Sequence, residues 1–329
     1  MHLRQITIAT GALASLALAA SPAVASAAAP WGEPLTIPGA TGGAIQSLFT
    51  AAGHGVVVSS SAGRSPLTPS QVAEVTPAGT VARTNPLGFA AHSLATYSRD
   101  RIVVAGQSVA TSGPHTGTID DSSSVVARFG TPAALGAEHV VAGTKGQQLY
   151  ALSANHGGLA ALVTGTSRTR TVFVRRPGSS TFTTKLRIRV SDRARGATVA
   201  VGESGDVLVV YEDAHTIRAR HIGRHGAVGP VHRLGPGVQS NLQAVVNDDG
   251  RLEVAWESQR VNEGEASGAA TVWFITAAPG RGFGAPRTIA TVGKTGAEGR
   301  AVAPPGVRLV PAGNDALLAY TGFDGSNYT

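Results

Sequence analysis

Two stretches of this chain can be laid one on the other, residue for residue: Val199-Ala200-Val201-Gly202-Glu203-Ser204-Gly205-Asp206-Val207-Leu208-Val209-Val210-Tyr211 and Ala244-Val245-Val246-Asn247-Asp248-Asp249-Gly250-Arg251-Leu252-Glu253-Val254-Ala255-Trp256. Each is a short apolar strand, a tight Gly/Asp turn and a second, more hydrophobic strand. The turn residues are those that tolerate the positive φ a hairpin needs. Weaker copies turn at Ala52-Gly53-His54-Gly55, Ser98-Arg99-Asp100, Ala154-Asn155-His156-Gly157 and Ala312-Gly313-Asn314-Asp315, which makes six in all.

A third strand of alternating character follows the pair, as in Thr171-Val172-Phe173-Val174-Arg175, Thr216-Ile217-Arg218-Ala219-Arg220 and Thr271-Val272-Trp273-Phe274-Ile275. A Gly-containing turn then leads to a fourth, seen at Lys185 to Val190 and at Phe283 to Ile289. Four strands per unit of roughly 45–60 residues is the period of a propeller blade. The expected fold is all-β: a β-propeller of six blades, each a four-stranded antiparallel sheet. Trp31-Gly32-Glu33-Pro34-Leu35-Thr36-Ile37 matches Phe283-Gly284-Ala285-Pro286-Arg287-Thr288-Ile289. An N-terminal strand is therefore expected to complete the last blade, pairing near Leu317 to Tyr320 and removing the open sheet edges. That last unit shows no recognisable third strand, so the C-terminal blade reads as incomplete.

The first residues follow another logic. Arg4 supplies a positive start, Ile6 to Ala20 is apolar, Pro22 breaks the run, and Ala25-Ser26-Ala27 presents the small side chains of an A-x-A cleavage site. The run is shorter than the roughly 20 apolar residues of a membrane span. Residues 1–27 are expected to be a secretory signal peptide cleaved near Ala27, and 28–329 one extracellular domain without a membrane span. The chain has no cysteine, which excludes disulfides and thiolate metal sites. A core must hold such a domain together, and roughly 300 residues suffice for one.

The segment running from an apolar-x-apolar third strand into G-x-F-x-x-P-x-x-I resembles secreted β-propeller repeat proteins of high-GC bacteria, and in architecture sialidases. The abundance of Arg over the three lysines Lys145, Lys185 and Lys294 fits the same source. The resemblance implies the architecture alone. Asp-box turns of the form S-x-D-x-G-x-x-W are absent. The nearest turn, Asn247-Asp248-Asp249-Gly250, lacks the Ser and the Trp. No catalytic residue is carried over.

Several short signals read as turn chemistry. Gly280-Arg281-Gly282-Phe283-Gly284 lies between strands and opens no helix, so it is a hairpin and not a phosphate cradle. Gly202-Glu203-Ser204-Gly205 falls one residue short of a nucleophile elbow. His215, His221, His225 and His232 lack the spacing that pairs ligands on one face, and read as surface histidines. Asp120-Asp121 and Asn247-Asp248-Asp249 lack the alternation that converges oxygens on calcium. No metal and no cofactor are expected.

Charge is distributed unevenly. The formal net charge is +7, and thirteen Lys and Arg stand against five Asp and Glu between Arg168 and Arg233. Arg187 with Arg189, and Arg218 with Arg220, recur at period two and should share a face of their strands. Such a patch suits an acidic polysaccharide or cell-wall polymer, without sequence-specific nucleic-acid binding. The plainer account is Arg-rich composition on outer strands.

Antiparallel strands reverse direction, so tight turns leave one face of the ring and second-to-third loops leave the other. The long polar segments Gly106 to Ser123 and Glu257 to Ala270 are both read as second-to-third loops. Function is expected on that elaborated face. Candidate ligand-binding residues there are Glu212, Asp213, Glu257 and Asp324 at or beyond second-strand ends, with Asp120, Asp121 and Arg260 in the loops. A solvated rim accounts for the carboxylates most simply, while a converging pair would suit glycosidase acid–base work. These features favour a secreted, monomeric binding or interaction module over an enzyme. A sialidase-like or lyase-like carbohydrate enzyme and a structural cell-envelope protein are the alternatives.

Overall fold

Among the described residues every β-sheet is an antiparallel meander, with a single two-residue strand of the second sheet pairing out of sequence order. The computed structural model describes residues 37–38, 40–61, 69–109, 122–192, 194, 196–237, 241–262, 265–292 and 306–320, with backbone only at 40–45, 60–61, 259–262, 265–269 and 292. The first sheet comprises β1 (Ala40–Phe49), β2 (Gly55–Ser61), β3 (Ser70–Val75) and β4 (Val81–Pro86). In the second, β5 (Phe89–Tyr97), β6 (Arg101–Ser108) and β7 (Val125–Thr131) are followed by two-residue strands, β8 (Ala134–Leu135) and β9 (His139–Val140), both paired with β7. The third is β10 (Gln148–Ala154), β11 (Ala160–Gly165), β12 (Thr169–Arg175) and β13 (Thr183–Arg189). The fourth is β14 (Ala197–Val201), β15 (Val207–Asp213), β16 (Thr216–Ile222) and β17 (Val228–Pro236). The fifth is β18 (Leu242–Val246), β19 (Leu252–Asn262), β20 (Glu265–Ala277) and β21 (Arg287–Val292), and β22 (Val307–Ala312) pairs with β23 (Asp315–Tyr320) in the sixth. Among the described residues there is no helix, hence none long and apolar enough to cross a membrane.

The sheets stack in chain order through their first strands, β1 on β5, β5 on β10, β10 on β14, β14 on β18 and β18 on β22. Five apolar clusters result, one between each successive pair of sheets. Strand β15 shows why. Val207, Val209 and Tyr211 face the third sheet, while Leu208 and Val210 face the fifth. A strand buried on both faces reads as a continuous apolar run, and this one does. Radially stacked four-stranded meanders of this kind are the blades of a β-propeller. The proposed closing strand at Leu35 to Ile37 lies almost wholly outside the described residues, as does the signal peptide.

The tight turns have the chemistry that their residues dictate. Gly205 donates to the Gly202 carbonyl at 3.0 Å and Gly250 to that of Asn247 at 2.9 Å. Both glycines adopt positive φ, 88° and 81°, where a Cβ would be strained. These turns also join blade to blade. Ser98 N donates to the His156 carbonyl at 3.1 Å, the Asn155 amide donates to the Gly202 carbonyl at 2.8 Å, and Asp248 N donates to the Gly313 carbonyl at 3.3 Å.

Two segments differ from the sequence expectation. Glu257 to Ala270 is not a loop: β19 and β20 continue as a hairpin through Arg260↔Ser267 and Asn262↔Glu265. Ladder pairing satisfies the backbone there, so polar composition does not interrupt the strands. Phe283 to Pro286 is not strand either, because β21 begins at Arg287. The second sheet also lacks a full fourth strand.

Candidate functional site

The described residues form a cleft of about 560 Å³ between the fourth and fifth sheets, on the tight-turn face. Its walls come from the β14–β15 turn (Ser204, Asp206), the end of β16 (His221), β17 (His232), the β18–β19 turn (Asp248, Asp249) and the β20–β21 turn (Arg281, Phe283). Equivalent turns of neighbouring blades thus face each other across the gap, and the repeat itself creates the site.

Hydrogen bonds hold one wall rigid. The Asp206 carboxylate accepts from Nε2 of His221 at 3.0 Å and from Arg224 N at 3.2 Å through Oδ1, and from Ser204 Oγ at 2.5 Å through Oδ2. A carboxylate between a hydroxyl and an imidazole fixes both, and leaves Ser204 bonded to the carboxylate and not to the imidazole. The Ser–His contact of an activated serine nucleophile is not made in that arrangement. On the other wall Asp249 is occupied by Arg251 at 3.0 Å, whereas neither the Asp248 carboxylate nor the Arg281 guanidinium has a partner among the described residues. The His232 ring meets Phe283 edge-on, with centroids 5.6 Å apart, and this aromatic pair lines the same cleft as the charged groups. No group of three His, Asp or Glu among the described residues could hold a metal.

Four motifs read from sequence as ordinary turns or surface histidines therefore meet here: Ser204 and Asp206 around Gly205, Asp248 and Asp249 before Gly250, His221 with His232, and Arg281 with Phe283. Each was visible as a residue type. Their convergence follows from blade stacking, which no local pattern reports.

The opposite face holds the carboxylates anticipated from sequence. Glu212 and Glu257 occupy equivalent positions near the end of β15 and within β19, each turned toward the following sheet. They are 1% and 2% exposed, buried instead of standing on a solvated rim. Burial pushes the Glu257 carboxyl up to about 7, and neither of its oxygens has a hydrogen-bond partner among the described residues. Asp213 accepts from Ser191 N at 2.8 Å and pairs with Arg218 at 3.4 Å, which commits it to the fold. Arg260 sits in the β19–β20 ladder with only its backbone described, and Asp120, Asp121 and Asp324 lie outside the described residues.

The basic region divides as well. Arg187 and Arg189 are exposed on β13, whereas Arg218 and Arg220 are half-buried, Arg220 donating to the Gly229 carbonyl at 3.0 Å. Arg170 and Arg175 are inside the protein. Arg170 is fully buried, lies 4.2 Å from the Tyr150 ring centroid and donates to the carbonyls of Thr166, Thr169 and Ala194. Burial lowers its pKa, and the Tyr150 hydroxyl and the Glu212 carboxylate oppose that shift. Arg175 lies 4.0 Å from the Phe129 ring centroid and donates to the Gly158 carbonyl. These two cations serve blade packing and contribute little to a surface field.

The fold and the cleft define a propeller-type protein with an inter-blade cleft. No family model and no curated protein sequence matches the chain. Similar solved structures include a protein of unknown function from Dyadobacter fermentans, at 10% identity over 74% of this chain and 92% of that one, TM-score 0.44. A mutant of AofleA from Arthrobotrys oligospora is similar at 12% identity over 79% and 76%, TM-score 0.48. The NanB sialidase from Streptococcus pneumoniae is similar at 8% identity over 70% of this chain and 58% of its own, TM-score 0.45. Likeness at this level does not bear on ligand or activity.

Proposed function

We propose that this chain is an exported binding module, a six-bladed propeller closed by its N-terminal strand, that holds a glycan in the cleft between its fourth and fifth blades. The observation that carries the reading is the lining of that cleft: the Asp248 carboxylate and the Arg281 guanidinium, unpartnered among the described residues, share it with the His232–Phe283 contact. Such a surface offers acceptor, donor and aromatic contact together, which suits a sugar ring with hydroxyl edges and an apolar face. A cleft of about 560 Å³ is in the range of small-ligand sites. The Asp206–His221 pair keeps its wall preorganised, so little ordering entropy opposes binding. Screening the purified protein against a glycan panel, with Asp248→Ala and Arg281→Ala beside it, tests the reading. Glycan binding that both substitutions leave intact overturns it.

Glu257 supports a second reading, a carbohydrate-active enzyme working on the opposite face. A carboxyl held near pKa 7 is the form a general acid requires. Hydrolysis or elimination of a glycan, abolished in Glu257→Gln and retained in Arg281→Ala, would favour that reading over the first.

A further inference from the structure

The third sheet carries a cationic feature that the cleft does not use. Strand β13 reads Thr-Thr-Lys-Leu-Arg-Ile-Arg, with Leu186 and Ile188 buried against the fourth sheet and Lys185, Arg187 and Arg189 exposed. Arg187 and Arg189 share the face away from the fourth sheet, with Cα atoms about 6.6 Å apart at strand spacing. Lys185 precedes them where the pairing with β12 shifts by one residue.

Three observations make this a row of free charge. First, β13 is the outermost strand of its sheet, and the second sheet, on the side that the row faces, ends in the two-residue strands β8 and β9 in place of a full outer strand. Second, none of the three cations has a hydrogen-bond or ion-pair partner among the described residues. Their neighbours are committed elsewhere: Arg168 to Asp192, Arg218 to Asp213, and Arg170 and Arg175 to the interior. Third, the hairpin from Thr169 to Arg189 contains no Asp or Glu at all.

We infer that Lys185, Arg187 and Arg189 form a docking row for a linear anionic glycan that bears regularly spaced carboxylate or phosphate groups. Charge complementarity identifies the partner, and the aromatic residues narrow it. Phe173 and Phe182, the hairpin's only aromatics, are buried, so no exposed ring is available to stack a base. Single-stranded nucleic acid is normally held by such rings in addition to charge. Guanidiniums fixed along a strand recognise carboxylate and phosphate oxygens without needing that platform. Cations on an edge strand also discourage edge-to-edge pairing. Edge protection alone requires no ligand, and the two roles separate experimentally.

The test is retention of the full chain on polygalacturonate and on a linear phosphorylated glucan, with single-stranded DNA as the comparison. The expected result is binding to at least one glycan, weakening about tenfold between about 50 and 200 mM salt. It should be lost in the triple variant K185E/R187E/R189E and unchanged in Lys145→Glu, a charge reversal at an exposed cation outside both the row and the cleft. The triple Gln variant, with its unfolding midpoint measured alongside, carries the test if the Glu variant fails to fold. No glycan retention at low salt, or retention that ignores the triple substitution, overturns the inference. Equal or tighter retention of single-stranded DNA overturns the assignment to a glycan.

Discussion

Gly235 of β17 lies so close beneath Trp256 of β19 that a Cβ at position 235 would come within 2.7 Å of the indole Cζ2. The ring has nowhere to retreat. Trp256 is fully buried, donates through Nε1 to the Pro236 carbonyl at 2.7 Å, and stacks on Trp273 with centroids 6.1 Å apart and 13° between planes. Gly235→Ala is expected to cost about 1–3 kcal/mol as an overpacking change. Trp256→Ala should cost about 3–5 kcal/mol through the cavity it leaves. Urea unfolding measures both, and an unaltered midpoint for Gly235→Ala would show that the two blades part more easily than this packing implies.

Stability should fall as pH rises between about 4.5 and 7, because of Glu257. Burial pushes its carboxyl up to about 7 in the folded chain, from an ordinary value of 4.5. Between those values the unfolded chain has released a proton that the folded chain retains, so raising the pH favours unfolding. The whole shift corresponds to about 3 kcal/mol, fully expressed above pH 7 and absent below about 4.5. Glu257→Gln should remove this slope and be the more stable protein at pH 8. Parallel denaturation curves for the two proteins from pH 4 to 8 would contradict the assignment.

The joints between the third and fourth blades allow a contrast between buried and exposed contacts. Asn155 is 5% exposed, donating to the Gly202 carbonyl at 2.8 Å and accepting from Leu159 N at 2.9 Å. Asn155→Ala leaves the Leu159 amide without its partner and the Gly202 carbonyl with the Gly205 amide alone, and should cost about 1–3 kcal/mol. The nearby His156–Glu203 pair, 2.7 Å apart, is largely open to solvent. His156→Ala should change stability by less than about 1 kcal/mol. The ranking of the two unfolding midpoints is the measurement, and the reverse order would be wrong for this geometry.

At the cleft, Asp248→Ala and Arg281→Ala should each weaken glycan binding about tenfold or more, the usual cost of a lost charge-assisted hydrogen bond. Neither should move the unfolding midpoint, because neither side chain has a partner within the described fold. Asp206→Ala should do both, since it frees His221, Ser204 and the Arg224 amide together. Calorimetry and urea titration of the three variants decide the matter.

Export predicts a defined product. Material recovered outside the cell should begin at or within a few residues of Ala28, and N-terminal sequencing that returned Met1 would reject the signal peptide. Deleting residues 28–37 from that product should lower its unfolding midpoint if the N-terminal strand closes the ring.

Much of the architecture was legible in the sequence because it is written locally. The turns at Gly205 and Gly250 follow from residues that accept positive φ, and the unbroken apolar run Val207 to Tyr211 follows from burial on both faces of one strand. What burial does to a charge is not local. Arg170 and Arg187 share a residue type and a hairpin, yet one is sealed beneath Tyr150 and the other stands in solvent, because only one lies where the next blade packs. Glu257 likewise reads as a rim carboxylate, yet in the folded chain it is buried. The cleft is the clearest case: Asp206, Asp248 and Arg281 stand apart in the chain, in segments that read as unremarkable turns. The sequence determined the repeat and its turns, since strand period and backbone conformation depend on near neighbours. The tertiary structure alone decided which polar groups meet and which are desolvated, because that depends on how one blade is laid against the next.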